Sequence, residues 1–361
     1  MKIDTLLKNT PAWEPDRNTT EGVVLGSIVR MVRNLPGHVF PGWSSAESRA
    51  AVAQKVLPVI CGMRGYKTAF CAEMNTLSYG QRRALLSRKQ LTPCMAARQD
   101  GCYVIIPQRK PVYFMVNEEE HLVAHAFRDG LNLEAGIEEL LDINDKLEEQ
   151  LTFAATPAQG YLTSIPMEAG DGLQLYCMLH LPALSLANMM GQVTKALEKL
   201  HVSISPYFAD GQDDTGHLFV LFSIPGPFES IDDVTESFLD VVAHLVRREQ
   251  QMRMKLMRDP DLHLHDTVAR AYGLLTNCRR LGIKELRDAI SLLRLGTLMG
   301  IIKWQEEERE MLVSLHHFAL AQATETALAE EYSDSSIHLR RAQAARDFLS
   351  THPHQFSDTP A

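Results

Sequence analysis

No window of this chain approaches the roughly 20 consecutive apolar residues that a membrane-spanning helix needs. Its opening, MKIDTLLKNTPAWEPDR, has no basic segment followed by a sustained apolar stretch, so neither a span nor a secretory leader is expected. Basic surplus is missing too. Against 36 Lys and Arg stand 45 Asp and Glu, a formal net charge of -9, which gives no general attraction to nucleic acid or anionic lipid. Any polyanion site must be local. The six cysteines, Cys61, Cys71, Cys94, Cys102, Cys177 and Cys278, form no C-x-x-C pair, which argues against a zinc site or a disulfide framework and for reduced thiols. The 14 histidines include His263 and His265 in DLHLHD and the pair His316 and His317. Those spacings suit a metal, but no carboxylate or thiolate cluster accompanies them, so they read as surface or helix-lining residues and no metal is expected. These absences describe a soluble cytoplasmic protein with neither nucleic acid nor membrane as partner.

What is present is enough apolar residue for one large core or two moderate ones: 361 residues, 45% hydrophobic. Helical spacing with a Ser44 or Ser45 cap predicts a helix over 45–60, ending near Pro58. A second is predicted over 78–90. CYVIIPQRKPVYFMVN (102–117) reads as a hairpin, two β-rich runs broken by PQRKP. A long amphipathic helix fits 134–151. YLTSIP, LQLYCMLHLPAL, HVSISPYF and HLFVLFSI then read as strands around a helix at 185–200. Strands and helices mix without a βαβ repeat, so an α+β unit on a largely antiparallel sheet is expected. From about 229 the strand signal disappears, and the remainder reads as helices ending in a frayed HPHQFSDTPA.

Four segments carry a resemblance. LGSIVRMVRNLPGHVFPGW (25–43) is similar to an S-S-R-x-R-L-A-R-N-L opening, and VNEEEHL (116–122) to an N-E-E-D-H signature. GYLTSIPMEAGDGLQLYCMLHLPAL (160–184) follows a G-Y-L-T-S-C-P-T-N-x-G-T-G-x-R block, and YGLLTNCRRLGIKELRDAISLLRLGTLMGII (272–302) looks like the start of a helical C-terminal domain. In this order they resemble the bacterial protein-arginine kinases of the ATP:guanido phosphotransferase family. The resemblance implies a phosphagen-kinase-like catalytic domain, an antiparallel sheet flanked by helices, over 1–258. It implies an all-α dimerisation and phosphoarginine-binding domain over 259–361. The implied reaction is transfer of the γ-phosphoryl group of ATP, with Mg²⁺, to arginine in a protein substrate. The implied partners are arginine-bearing clients, a second copy of the chain and a small zinc-binding activator.

Matched position by position, Glu119 aligns with the family's catalytic glutamate, the carboxylate that would hold a guanidinium and take its proton. Taken alone, Glu118, Glu119 and Glu120 would simply solvate a strand end. Ser27 and Arg30 match nucleotide-binding positions, but Ile28, Val123, Gln174 and either Ile204 or Ser205 stand where arginines are expected. Phosphoryl transfer depends on such cations. The expected loop glutamate is missing, with Asp210 as the nearest substitute, and Ile165 replaces a reactive cysteine. Arg33 reads as a structural arginine, while Arg82, Arg83 and Arg88 lie on a predicted helix and only the fold places them relative to the site. Arg341 and Ala342 keep half of an R-D-x-x-R-A phosphoarginine-binding motif. The expectation is a degenerate kinase with a scaffold or regulatory role. An active kinase with rearranged nucleotide contacts and a phosphoarginine-binding module are the alternatives.

Overall fold

The structure, a computed structural model, describes residues 1–9, 21–208, 215–224, 229–258, 264–331 and 336–357. Its strands are β1 Val24–Arg33, β2 Phe70–Glu73, β3 Tyr103–Ile106, β4 Val112–Val116, β5 Leu122–Asp129, β6 Ala155–Thr156, β7 Gly160–Tyr161, β8 Leu173–His180, β9 Val202–Pro206, β10 Leu218–Ser223, β11 Ile302–Trp304 and β12 His354–Phe356. Eight of them form one sheet in the order β2-β3-β4-β5-β1-β8-β10-β9. Each neighbouring pair is antiparallel. The α+β expectation is borne out, and the 102–117 hairpin is β3 paired with β4.

Central β1 is buried at every position, because helices cover both faces of the sheet. Alternate β1 side chains enter different cores. Val29 and Met31 join the cluster under α2 (Ala46–Gly62), α5 (Leu133–Glu148) and α8 (Ile231–Arg258), whereas Ile28 and Val32 join the one under α1 (Ile3–Lys8), α3 (Tyr79–Ser87) and α4 (Pro93–Ala97). A third cluster is built on α9 (Leu264–Asn277), α10 (Ile283–Leu298), α11 (Glu308–Glu331) and α12 (Ile337–Ser350). No helix among the described residues is long and apolar enough to cross a membrane.

Some boundaries differ from expectation, for local reasons. Helix α2 is capped by Ser45 and continues through Pro58 to Gly62, because Val59 and Ile60 beyond the proline are buried. The expected helix over 185–200 splits into α6 (Pro182–Leu186) and α7 (Met190–Leu197), with Asn188 between them at φ 55°. Helix α3 ends before Lys89, whose φ is 57°. Of YLTSIP only Tyr161 is strand, together with Gly160 before it. The tail is not frayed throughout: β12 pairs with β11, held by ring contacts of His354 with Tyr272 and Trp304. The helical part therefore contains a two-stranded ribbon that its sequence pattern does not announce.

Candidate active site

Strand pairing brings the matched segments onto one face of the sheet. His125 of β5, Arg30 of β1 and Gln174 of β8 lie side by side across three strands, and Ile28 and Tyr176 are paired in the next row, with Phe222 of β10 beyond. These residues floor a cavity of about 510 Å³, walled by Lys89, Thr92, Cys94, Glu118, Glu119 and Glu168, with Ser205 at its side. The Tyr176 and Phe222 rings stack at 5.8 Å.

The three glutamates after β4 diverge because the chain turns sharply there, with Asn117 at φ 59°. Glu118 is buried, accepting from Thr92 Oγ1 and, at 2.7 Å, from the Glu119 backbone N–H. Glu120 is also buried; its carboxylate accepts from Asn34 Nδ2 at 2.6 Å and from Ser164 N and Oγ at 2.8 and 2.6 Å. Glu119 alone stays exposed and faces the cavity. Desolvation first, then the Glu118 charge, push its carboxyl above the ordinary carboxylate range, with Arg30 pulling the other way. His121 is locked beneath, Nδ1 accepting from Leu35 N at 3.1 Å, which leaves Nε2 to donate to the Val39 carbonyl at 3.0 Å.

Arg30 donates through Nη1 to Glu168 Oε2 at 2.7 Å. Burial opposes its charge, but Tyr176, Glu168 and Glu118 outweigh burial and hold the guanidinium protonated beyond its usual range. Burial, and after it the same cation, push His125 down to about 3, so its imidazole is neutral. Lys89 donates to the Tyr207 carbonyl and lies 4.3 Å from that ring's centroid. Among the described lining residues Arg30 and Lys89 are the cations, facing carboxylates of Glu118, Glu119 and Glu168.

The other expected site residues divide. Ser27 lies on the opposite face from Arg30, 1% exposed, with Oγ accepting from Asn132 N at 3.1 Å. It pins the approach to α5 and does not reach the cavity. The neutral replacements Ile28, Gln174 and Ser205 line the cavity, and Val123 is enclosed on the same face. Ile204 turns to the other core, so Ser205 is the position that faces the site. Arg33 is structural as expected: it bonds Asn144 Oδ1 at 2.6 Å and stacks 3.4 Å over the Tyr161 ring. Arg82 and Arg88 are spent on backbone carbonyls. Arg83 lines a neighbouring cavity of about 280 Å³ with Arg287, which shares Leu86 and Pro93 with the first. Asp210 and His263 fall outside the described residues. Arg341 is 0% exposed, donating to the Leu281 carbonyl at 2.6 Å and to Thr326 Oγ1, so it ties α12 to its neighbours inside the core and presents no surface to a ligand.

Sequence reasoning missed Glu168, Tyr176, His125, Lys89 and Cys94. Glu168 was visible in principle, as an acid where the matched block has asparagine. His125 and Tyr176 follow from strand alternation once Arg30 is placed. Lys89 and Cys94 come from the α3–α4 segment and carried no motif.

The sheet order, the flanking helices and the cavity at the acidic turn define a guanidino-kinase type of fold. Solved structures agree. A lombricine kinase crystal structure superimposes with TM-score 0.54 at 18% identity, covering 70% of this chain and 72% of that one. The duplicated taurocyamine kinase from Schistosoma mansoni gives TM-score 0.57 at 16% identity, covering 79% and 43%. A profile described as ATP:guanido phosphotransferase, C-terminal catalytic domain, matches residues 51–252, and one described as protein-arginine kinase McsB C-terminal domain matches 261–359. A protein-arginine kinase of Shouchella clausii is 28% identical over 97% of this chain and 98% of that protein, and one of Bacillus subtilis is 27% identical over 94% and 93%. The chain belongs to the ATP:guanido phosphotransferase family, and within it is similar to the protein-arginine kinases.

Proposed function

We propose that this chain is a catalytically degenerate member of its family, a pseudokinase with a scaffold or regulatory role toward arginine-bearing protein clients. One observation carries the reading. Where the resemblance calls for a cluster of cations, the cavity beside Glu119 presents Ile28, Gln174 and Ser205, and its Arg30 is already paired with Glu168. A unit charge pair at about 4 Å contributes on the order of 4 kcal/mol in a moderately screened site, and about 1.4 kcal/mol is tenfold in rate. Several missing contacts therefore remove many orders of magnitude. The described lining fits a triphosphate poorly, since three carboxylates face two cations and one of those, Arg30, is paired with Glu168. We derive no phosphoryl-transfer step from it.

The reading is tested by incubating the protein with radiolabelled ATP, Mg²⁺ and an arginine-rich protein. No acid-labile phosphoarginine is expected. Label that disappears in Glu119→Gln overturns the proposal. A second reading, nucleotide binding through rearranged contacts, is favoured by the position of Arg83 and Arg287 in the adjoining cavity. It requires a thermal shift with Mg-ATP that is removed by Arg83→Ala and by Arg30→Ala.

A further inference from the structure

Helix α10 belongs to the helical unit, yet one of its faces holds the end of the sheet that closes the cavity. β9 and β10 contribute Ser205, Pro206, Val220 and Phe222 to the lining. The chain leaves β9 through Tyr207 and Phe208 and returns to β10 through Thr215–His217. On the leaving side, Arg287 of α10 lies 3.6 Å over the Phe208 ring. Where the chain returns, Asp288 accepts from Gly216 N at 2.6 Å. That glycine has φ 74°, and a Cβ there would sit 3.3 Å from Arg287 Cβ, so backbone and helix are in direct contact. One turn further along α10, Ser291 Oγ lies 2.8 Å from His217 Nδ1 and 2.8 Å from His180 Nε2, at the end of β8. A hydroxyl has one proton, so at most one imidazole accepts from Ser291 and at least one donates to it. Three residues on one helical face thus grip three successive pieces of the cavity's sheet.

We infer that α10 is a positioning element for the cavity: through Arg287, Asp288 and Ser291 it sets where β9 and β10 stand, so binding in the cavity and docking of the helical unit are energetically coupled. The coupling is reciprocal by linkage, since whatever favours one arrangement of α10 favours the matching arrangement of the strands. It holds whether or not the cavity transfers a phosphoryl group, and it gives a degenerate catalytic unit a means of reporting occupancy to the helical one.

Hydrogen–deuterium exchange on the full chain tests this, with alkylation of Cys94 by N-ethylmaleimide, read by peptide mass spectrometry, as a second probe inside the cavity. In Asp288→Ala, exchange over 202–206 and 216–223 is expected to rise about tenfold, the scale of one lost charge-assisted hydrogen bond. Cys94 is expected to react faster, while 103–116 stays at the wild-type rate. Asp288→Asn keeps the acceptor and should behave as wild type. Ser291→Ala, which removes the bridge to both histidines, should reproduce the pattern and serves if Asp288→Ala does not fold. Loosening confined to α10 with β9, β10 and Cys94 unchanged, or equal loosening of the whole chain, overturns the inference. Neither probe involves nucleotide, so detection of phosphoarginine would sink the pseudokinase reading and leave this result standing.

Discussion

Glu118, Glu119 and Glu120 share one side chain and occupy three environments. The outer two are absorbed by Thr92, Asn34 and Ser164, and the middle one is left facing a cavity that already holds other carboxylates. Its carboxyl is raised, so the folded state binds that proton more tightly than the unfolded chain does. In that case stability falls as pH rises from the ordinary value near 4.5 through the raised one. Glu119→Gln removes the penalty. Urea unfolding is expected to show the variant more stable than wild type at neutral pH, by under about 1 kcal/mol because the group is partly exposed and screened. The gain should vanish below about pH 4. A gain that persists in acid would show that the cause is packing. The same scale explains why Ser27 and Arg30, close together in one motif, face opposite ways. A motif gives residue order, but three steps along a strand reverse the face, which puts Ser27 behind the sheet and Arg30 in front of it. Glu119 was legible only through the matched motif, since the turn that separates it from Glu118 and Glu120 is set by Asn117 and by partners distant in sequence. Arg30's partner was not, since Glu168 approaches from a segment 138 residues away.

Among the elements, those with long unbroken periodicity were legible: α5, α8, α10 and the β3–β4 hairpin. Short elements were not, because two or three residues contain less than one period of any pattern. The β11–β12 ribbon illustrates this. Its strands are three residues each, and what secures them is tertiary: the Tyr272 ring contacts His354 and Phe356, and Trp304 contacts His354, with backbone bonds from Gln305 N to the Pro353 carbonyl and from Ser357 N to the Ile301 carbonyl, both 3.0 Å. Ending the chain after His352 removes one strand and uncovers Tyr272 and Trp304. The cost is about 2 kcal/mol, the scale of burying one large ring, and should appear as a lower unfolding midpoint with a red shift of Trp304 emission relative to the same truncation in Trp304→Phe. An unchanged midpoint would return these residues to the status of a frayed tail.

At the scale of the whole molecule, the fold is that of a family whose reaction demands positive charge, and this chain has Ile28, Gln174 and Ser205 lining the cavity where the resemblance calls for arginines. Gln174 shows how the replacement is accommodated: Nε2 donates to the Ser223 carbonyl at 2.9 Å and Oε1 accepts from the Tyr176 hydroxyl, so a neutral side chain has its own partners where an arginine would await a phosphate. If, as proposed, the neutral cavity floor keeps nucleotide from binding, restoring cations there should bring binding back. Gln174→Arg places a second guanidinium directly beside Arg30 in the pairing register, and Ser205→Arg adds a third from β9. Without an anion these charges repel, and the double variant is expected to be less stable than wild type by about 2 kcal/mol. With Mg-ATP the repulsion becomes attraction, because a ligand bound only by the folded state stabilises it in proportion to the logarithm of its saturation. The expected signature is a thermal shift with Mg-ATP in the double variant and none in wild type. Inorganic sulfate should give a smaller shift, and Arg30→Ala introduced into the double variant should abolish both. A folded double variant that does not respond to Mg-ATP would rule out the floor of the cavity as what limits nucleotide binding.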